Sequence, residues 1–123
     1  MSDRHLVKPA AASAVLLVNS AYLAAFADPS LFYFANVVLH VTLGIGVAVT
    51  ATRYLFVRRP KLTRLLGLAV AVLALGFLIG FVLVISGATR PYRWILYAHI
   101  GLTSAGVTLL AVGLYTGRKI SGG

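Results

Sequence analysis

Four long apolar stretches, separated by short segments rich in Pro, Gly or basic residues, constrain this chain more than any other feature. They run roughly over 9–26, 31–57, 65–87 and 92–115. A helix rises 1.5 Å per residue, so about 20 apolar residues cross a hydrocarbon layer of ~30 Å. The last three stretches clear that length. The first is marginal, and Asn19, Ser20 and Tyr22 weaken it further. Composition agrees: 60% of residues are apolar and 11% charged, whereas a soluble domain is about a quarter charged. Lipid is the solvent that suits such a chain.

The breaks between the stretches are those expected of helix ends. Asp28-Pro29-Ser30 forms a turn in which Ser30 can cap the second helix. Arg58-Arg59-Pro60-Lys61 ends that helix, because the ring of Pro60 disfavours helix at Arg59. Ser86 to Pro91 closes the third helix and opens the fourth, and Gly117-Arg118-Lys119 ends the fourth. The first stretch has two readings. Arg4 and Lys8, an apolar run and then Ala25-Phe26-Ala27 look like a secretory signal with a small-x-small cleavage site. It is read here as a helix, with Pro9 in its first turn. Short connections make sequential helices antiparallel. The expected fold is all-α: a four-helix up-down transmembrane bundle forming a single domain over 1–123.

Orientation follows from the basic residues. Arg4, Lys8, Arg53, Arg58, Arg59, Lys61, Arg64, Arg118 and Lys119 fall on one side, and Arg90 and Arg93 alone on the other. The positive-inside rule makes the crowded side cytoplasmic. Both termini are therefore expected inside, in a bacterial inner (cytoplasmic) membrane.

Much chemistry is excluded. There are no cysteines, so thiolate metal sites, iron–sulfur clusters and covalent haem attachment are ruled out. Glu is absent, and Asp3 and Asp28 are the only acids, which argues against carboxylate-pair hydrolysis and all-oxygen metal cages. A small proton-coupled exporter would need an embedded carboxylate, and both Asp residues fall outside the helices. The net charge of +9 does not indicate nucleic acid, because the charges flank the apolar runs and form no basic helix face with interleaved aromatics.

Ionisable groups within a bilayer are costly and mark function. Two occur here, His40 and His99, while His5 lies in the N-terminal tail. His40 is nine residues into the second helix and His99 seven into the fourth, roughly 13 and 10 Å from the outer surface. Both helices enter from the outer side. In an up-down bundle they are diagonal, so the two imidazoles are expected to meet across the core. That suits a metallo-macrocycle held edge-on, with iron taking one neutral imidazole on each axial side. A flat ring needs small residues beside it. Helical spacing brings Gly44, Val47 and Ala51 onto the His40 face, and Thr103, Gly106 and Gly113 onto the His99 face. Arg90 and Arg93 could hold the anionic propionates of a haem. They serve equally as interfacial anchors, like Tyr92, Trp94 and Tyr97. The bland reading of the histidines is a helix–helix hydrogen bond to Thr or to a backbone carbonyl.

Other features read more simply. Gly76 and Gly80, with Gly87 further along, form a small-xxx-small packing stripe. Asn19 either bonds a neighbouring helix or lines a quinone pocket with Tyr22. Aligning His40 with His99 also aligns Tyr33 with Tyr92 and Leu43 with Leu102, so helix pair one–two is a candidate remote repeat of pair three–four.

With His40 in Asn36-Val37-Val38-Leu39-His40-Val41-Thr42-Leu43-Gly44 and His99 in Tyr97-Ala98-His99-Ile100-Gly101, the chain resembles b-type cytochrome membrane subunits of bacterial respiratory complexes. The resemblance covers the second and fourth helices, under half the chain. It implies bis-His haem and electron transfer between quinol and a partner outside the bilayer. Large relatives carry two histidines on each ligating helix; one per helix here implies a single haem.

The leading expectation is therefore an electron-transfer subunit, not itself an enzyme. It would bind one haem b near the outer (periplasmic) face through His40 and His99, within a larger respiratory or photosynthetic complex. The lipid bilayer, other subunits and a quinone are its expected partners. The alternatives are a chlorophyll- or bacteriochlorophyll-binding subunit and a structural accessory subunit without haem.

Overall fold

The computed structural model describes residues 4–26, 30–58, 61–87 and 90–121. Among these it is all-helical with no strands: α1 (Arg4–Ala25), α2 (Leu31–Arg58), α3 (Arg64–Ser86), a single 3-10 turn (Arg90–Tyr92) and α4 (Arg93–Ser121). Three helical segments are long and apolar enough to cross a membrane: Leu31–Val57, Arg64–Ser86 and Arg90–Gly117. α1 is not among them. Its 22 residues include Arg4, His5 and Lys8 at the start and Asn19 and Ser20 further on.

Two boundaries differ from expectation. α1 begins at Arg4, so Pro9 sits inside the helix, in its second turn. The pyrrolidine removes one i→i−4 bond there, but the flanking residues keep helical geometry, and the Ser13 hydroxyl donates to the Pro9 carbonyl at 2.9 Å. α4 does not stop at Gly117 but runs through Arg118 and Lys119 to Ser121. A single helical Gly costs only about 1 kcal/mol, so Gly117 does not by itself end the helix. The Asp28-Pro29, Arg59-Pro60 and Ala88-Thr89 breaks lie outside the described residues.

The described caps have clear causes. Ser30 accepts from the Tyr33 amide at 3.1 Å, as its position predicts. Thr63 is extended and accepts from the Leu66 amide, capping α3. Gly87 is not a continuation of the Gly76–Gly80 stripe. It ends α3 with φ 72°, and its amide donates to the Leu83 carbonyl. That conformation strains any residue with a Cβ.

Hydroxyls within the helices are satisfied locally. Thr42, Thr50, Ser86, Thr108 and Thr116 each donate to the carbonyl four residues back. This back-bonding is how Ser and Thr sit in lipid without an exposed donor.

The helices form two hairpins. In the first, Met1–Arg59, α1 packs on α2; in the second, Pro60–Gly123, α3 packs on α4 far more extensively. The second is built on notches. A Cβ added at Gly106 would lie 2.6 Å from Leu73 Cγ and 3.2 Å from the Leu73 backbone nitrogen. One at Gly113 would meet Leu66 at 2.7 Å, and one at Gly76 would meet Thr103 at 2.8 Å. These pairs keep one antiparallel register along the two helices, so the glycines let the backbones approach closely. The first hairpin has no such ladder. Side chains join its helices: Tyr22 packs edge-on against Phe32 with ring centroids 5.6 Å apart, and Asn19 and Ser20 make polar contacts with α2.

Filling one notch should be felt only where a neighbour occupies it. Gly106→Ala is expected to destabilise the α3–α4 hairpin by about 1–3 kcal/mol through overpacking. Gly101→Ala, with nothing within 4 Å of the added carbon, should be neutral or slightly stabilising. Equal unfolding midpoints for both variants in detergent would refute the notch account.

Candidate functional site

His40 and His99 are each half-buried in their own hairpin, and each reaches from the second helix of the hairpin to the first. His40 Nδ1 lies 3.2 Å from Ser20 Oγ. His99 Nδ1 lies 2.8 Å from the Gly76 carbonyl oxygen.

These partners fix where the ring protons sit. A backbone carbonyl only accepts, so His99 Nδ1 carries hydrogen and donates it to Gly76. Ser20 has one hydroxyl hydrogen and directs it to the Leu16 carbonyl at 2.7 Å. Its oxygen therefore acts as acceptor toward His40, and Nδ1 donates there too. In a neutral imidazole the other nitrogen then carries the lone pair. In both histidines it is Nδ1 that faces the preceding helix. A metal-ligating His shows the same pattern: its second nitrogen donates to a carbonyl or other acceptor that orients the ring.

The seat of His99 depends on Gly80. A side chain at i+4 leans back over the carbonyl of residue i, so any larger residue at 80 would cover the Gly76 oxygen. A Cβ there would sit 2.6 Å from His99 Cε1 and 2.8 Å from Nδ1. The Gly76–Gly80 pair does more than pack helices, which is how the sequence alone reads it. It gives an imidazole access to the helix backbone. Thr103, one turn on, donates to the His99 carbonyl at 2.7 Å.

The remaining candidates separate. Gly44 has nothing within 4 Å of an added Cβ, so the α2 face one turn from His40 is open. Gly106 is buried, and the open face expected there is filled by Leu73; its lack of a side chain serves α3–α4 packing. Arg90 is exposed on the 3-10 turn. Arg93 is exposed at the start of α4, where its guanidinium donates to the Tyr97 hydroxyl at 3.1 Å and lies 5.9 Å from that ring's centre. Among the described residues no group of three or more His, Cys, Asp or Glu side chains could hold a metal ion. A porphyrin iron needs only axial donors from the protein, and the two imidazoles are of that kind.

Sequence reasoning missed Ser20 and Gly80 as parts of the site. The signal that could have found them is the need of a lipid-embedded imidazole for an Nδ1 partner on an adjacent helix. Asn19 is expected either to bond a neighbouring helix or to line a quinone pocket with Tyr22; it makes the bond, and with Tyr22 it also lines a groove between α1 and α2. Its amide donates to Asn36 Oδ1 at 2.7 Å.

In ¹⁵N spectra of labelled protein, Nδ1 of both imidazoles should appear protonated and hydrogen-bonded. Gly80→Ala should abolish that signature for His99 and leave His40 unchanged, while Ser20→Ala should do the reverse. An unprotonated Nδ1 in the parent chain would contradict the assignment. No family model matches the sequence, and no curated protein or solved structure matches it significantly.

Proposed function

We propose that the chain is a membrane electron-transfer subunit that binds one b-type haem, with His40 and His99 as axial ligands. The observation that carries this reading is the pair itself: each hairpin holds one half-buried imidazole on its second helix, with Nδ1 within hydrogen-bond distance of an oxygen on the first. In lipid such a pair is costly to keep without use. The open face at Gly44 leaves room for a flat ring beside His40, and Arg90 and Arg93 are the candidate partners of its carboxylates. When bound, the haem would supply a one-electron couple, and His40 and His99 would hold it. The protein's part is to orient both rings, hold Nδ1 protonated and exclude water.

The reading extends to the surroundings. α1 is short of the apolar character of the other helices, but it packs along α2 and its 22 residues span ~33 Å, so four crossings with both termini inside remain the proposed topology. The basic residues then face the cytoplasm of a bacterial inner membrane, and Arg90 and Arg93 face the periplasm. Other subunits of a respiratory or photosynthetic complex and a quinone complete the proposed setting. A second reading draws on the same hydrogen bonds: a structural subunit in which the two imidazoles tie helices together and bind nothing.

The purified protein should be coloured, with a b-type pyridine haemochrome and a low-spin reduced spectrum. His40→Ala and His99→Ala should each remove the low-spin signature, with both chains still folded by circular dichroism. A folded, colourless protein would end the haem reading and leave the structural one; extracted chlorophyll would favour pigment binding instead. Topology has its own check, because the chain lacks native cysteines. Pro91→Cys should react with an impermeant maleimide in intact cells and Lys61→Cys only after lysis, and the opposite pattern would invert the proposed orientation.

A further inference from the structure

The two hairpins secure their registers differently. In the second, Leu73, Leu66 and Thr103 occupy the notches at Gly106, Gly113 and Gly76. In the first, a Cβ added at Gly44 or Gly46 would meet nothing within 4 Å, so those glycines hold no notch for α1. The register of α1 on α2 falls to side-chain contacts, and the amide pair is the shortest of them. Asn36 is bonded in two directions. Its Nδ2 donates to the Phe32 carbonyl of its own helix at 2.8 Å, and its Oδ1 accepts from Asn19 Nδ2 at 2.7 Å. The first bond fixes the Asn36 amide on α2, and the second ties α1 to it through the buried Asn19.

This pair sits beside the seat of His40. Asn19 and Ser20 are consecutive on α1, and Asn36 and His40 are one helical turn apart on α2. A helical side chain leans toward the N-terminus of its own helix. In an antiparallel pair Ser20 and His40 therefore lean toward each other, and they meet at 3.2 Å. That contact has little slack. An axial slip of α1 by one residue's rise, about 1.5 Å, away from His40 takes it beyond hydrogen-bond distance. We propose that Asn19 and Asn36 are positioning residues for His40: the amide pair holds α1 at the register in which Ser20 receives the Nδ1 proton, and so sets the direction of the imidazole. As a role in haem ligation this rests on His40 being an iron ligand; the hydrogen bonds themselves do not. His99 needs no such clamp. Its acceptor is the Gly76 carbonyl, part of the α3 backbone at the notch that Thr103 fills.

The test reads the ¹⁵N signals of both imidazoles in the full chain, labelled, free of haem and in lipid nanodiscs. Asn19→Leu, which keeps the side chain's bulk and removes its donor, should cut the hydrogen-bonded Nδ1–H population of His40 roughly fivefold. Asn36→Leu should do the same. Both variants should leave the His99 signal and the helix content by circular dichroism unchanged, a split that general loosening of the chain would not produce. A folded Asn19→Leu chain whose His40 Nδ1 stays hydrogen-bonded would overturn the proposal. The parent chain supplies a second measurement for the case in which the variants do not fold. On heating, the Asn19 side-chain amide signal and the His40 Nδ1–H signal should be lost together, with His99 persisting to higher temperature. A His40 signal that outlasts the Asn19 amide would equally overturn it. None of these signals requires haem, so the outcome is separate from that of the colour test.

Discussion

Hydrocarbon offers no hydrogen bonds, and every polar atom in this chain that lies within an apolar stretch has to find its partner in the protein. Helices meet that demand for the backbone. The hydroxyls meet it by bonding back to their own helix. Two imidazoles and two amides reach further and bind the helices of a hairpin to each other, although Asn36 also donates within its own helix and Asn19 Oδ1 is left without a partner. His40 reaches Ser20, His99 reaches Gly76, and Asn19 reaches Asn36. The polar residues that look like exceptions in the sequence are thus the ones that make interhelical bonds.

The same demand gives the candidate site its chemistry. An imidazole with one nitrogen tied to a neighbouring helix cannot choose its tautomer, and its other nitrogen is held in one direction. The two hairpins reach this state by different means, a serine hydroxyl in one and a glycine-exposed backbone carbonyl in the other. If they descend from one ancestral pair, only the position of the histidine and a few neighbours is shared, since the residue matching Ser20 in the second hairpin is Ile79.

Much of the helical layout was legible in the sequence, because runs of apolar residues bounded by Pro, Gly and charge leave few choices. Ser30 as a cap could be read directly from its place before Leu31. Pro9 is expected a turn too early, because a proline fits the first turn of a helix but is also tolerated a turn later when the flanking residues hold the backbone. Helix faces were harder still. A helix that is apolar all round has no periodic stripe to show which side meets its neighbour, so Gly106 could equally have faced a cofactor or a leucine. Leu73 decides it. The role of Gly80 was hidden for a different reason: what matters there is a carbonyl that the glycine leaves uncovered, which no residue type announces.

The unlike construction of the two hairpins sets how each answers its surroundings. Leu73 seated in the notch at Gly106 offers water nothing to bond. The Asn19–Asn36 and Ser20–His40 contacts do, because a penetrating water molecule can replace either partner. In a thin or loosely ordered bilayer, where water reaches deeper, the N-terminal pair of helices should part first while the C-terminal pair stays closed.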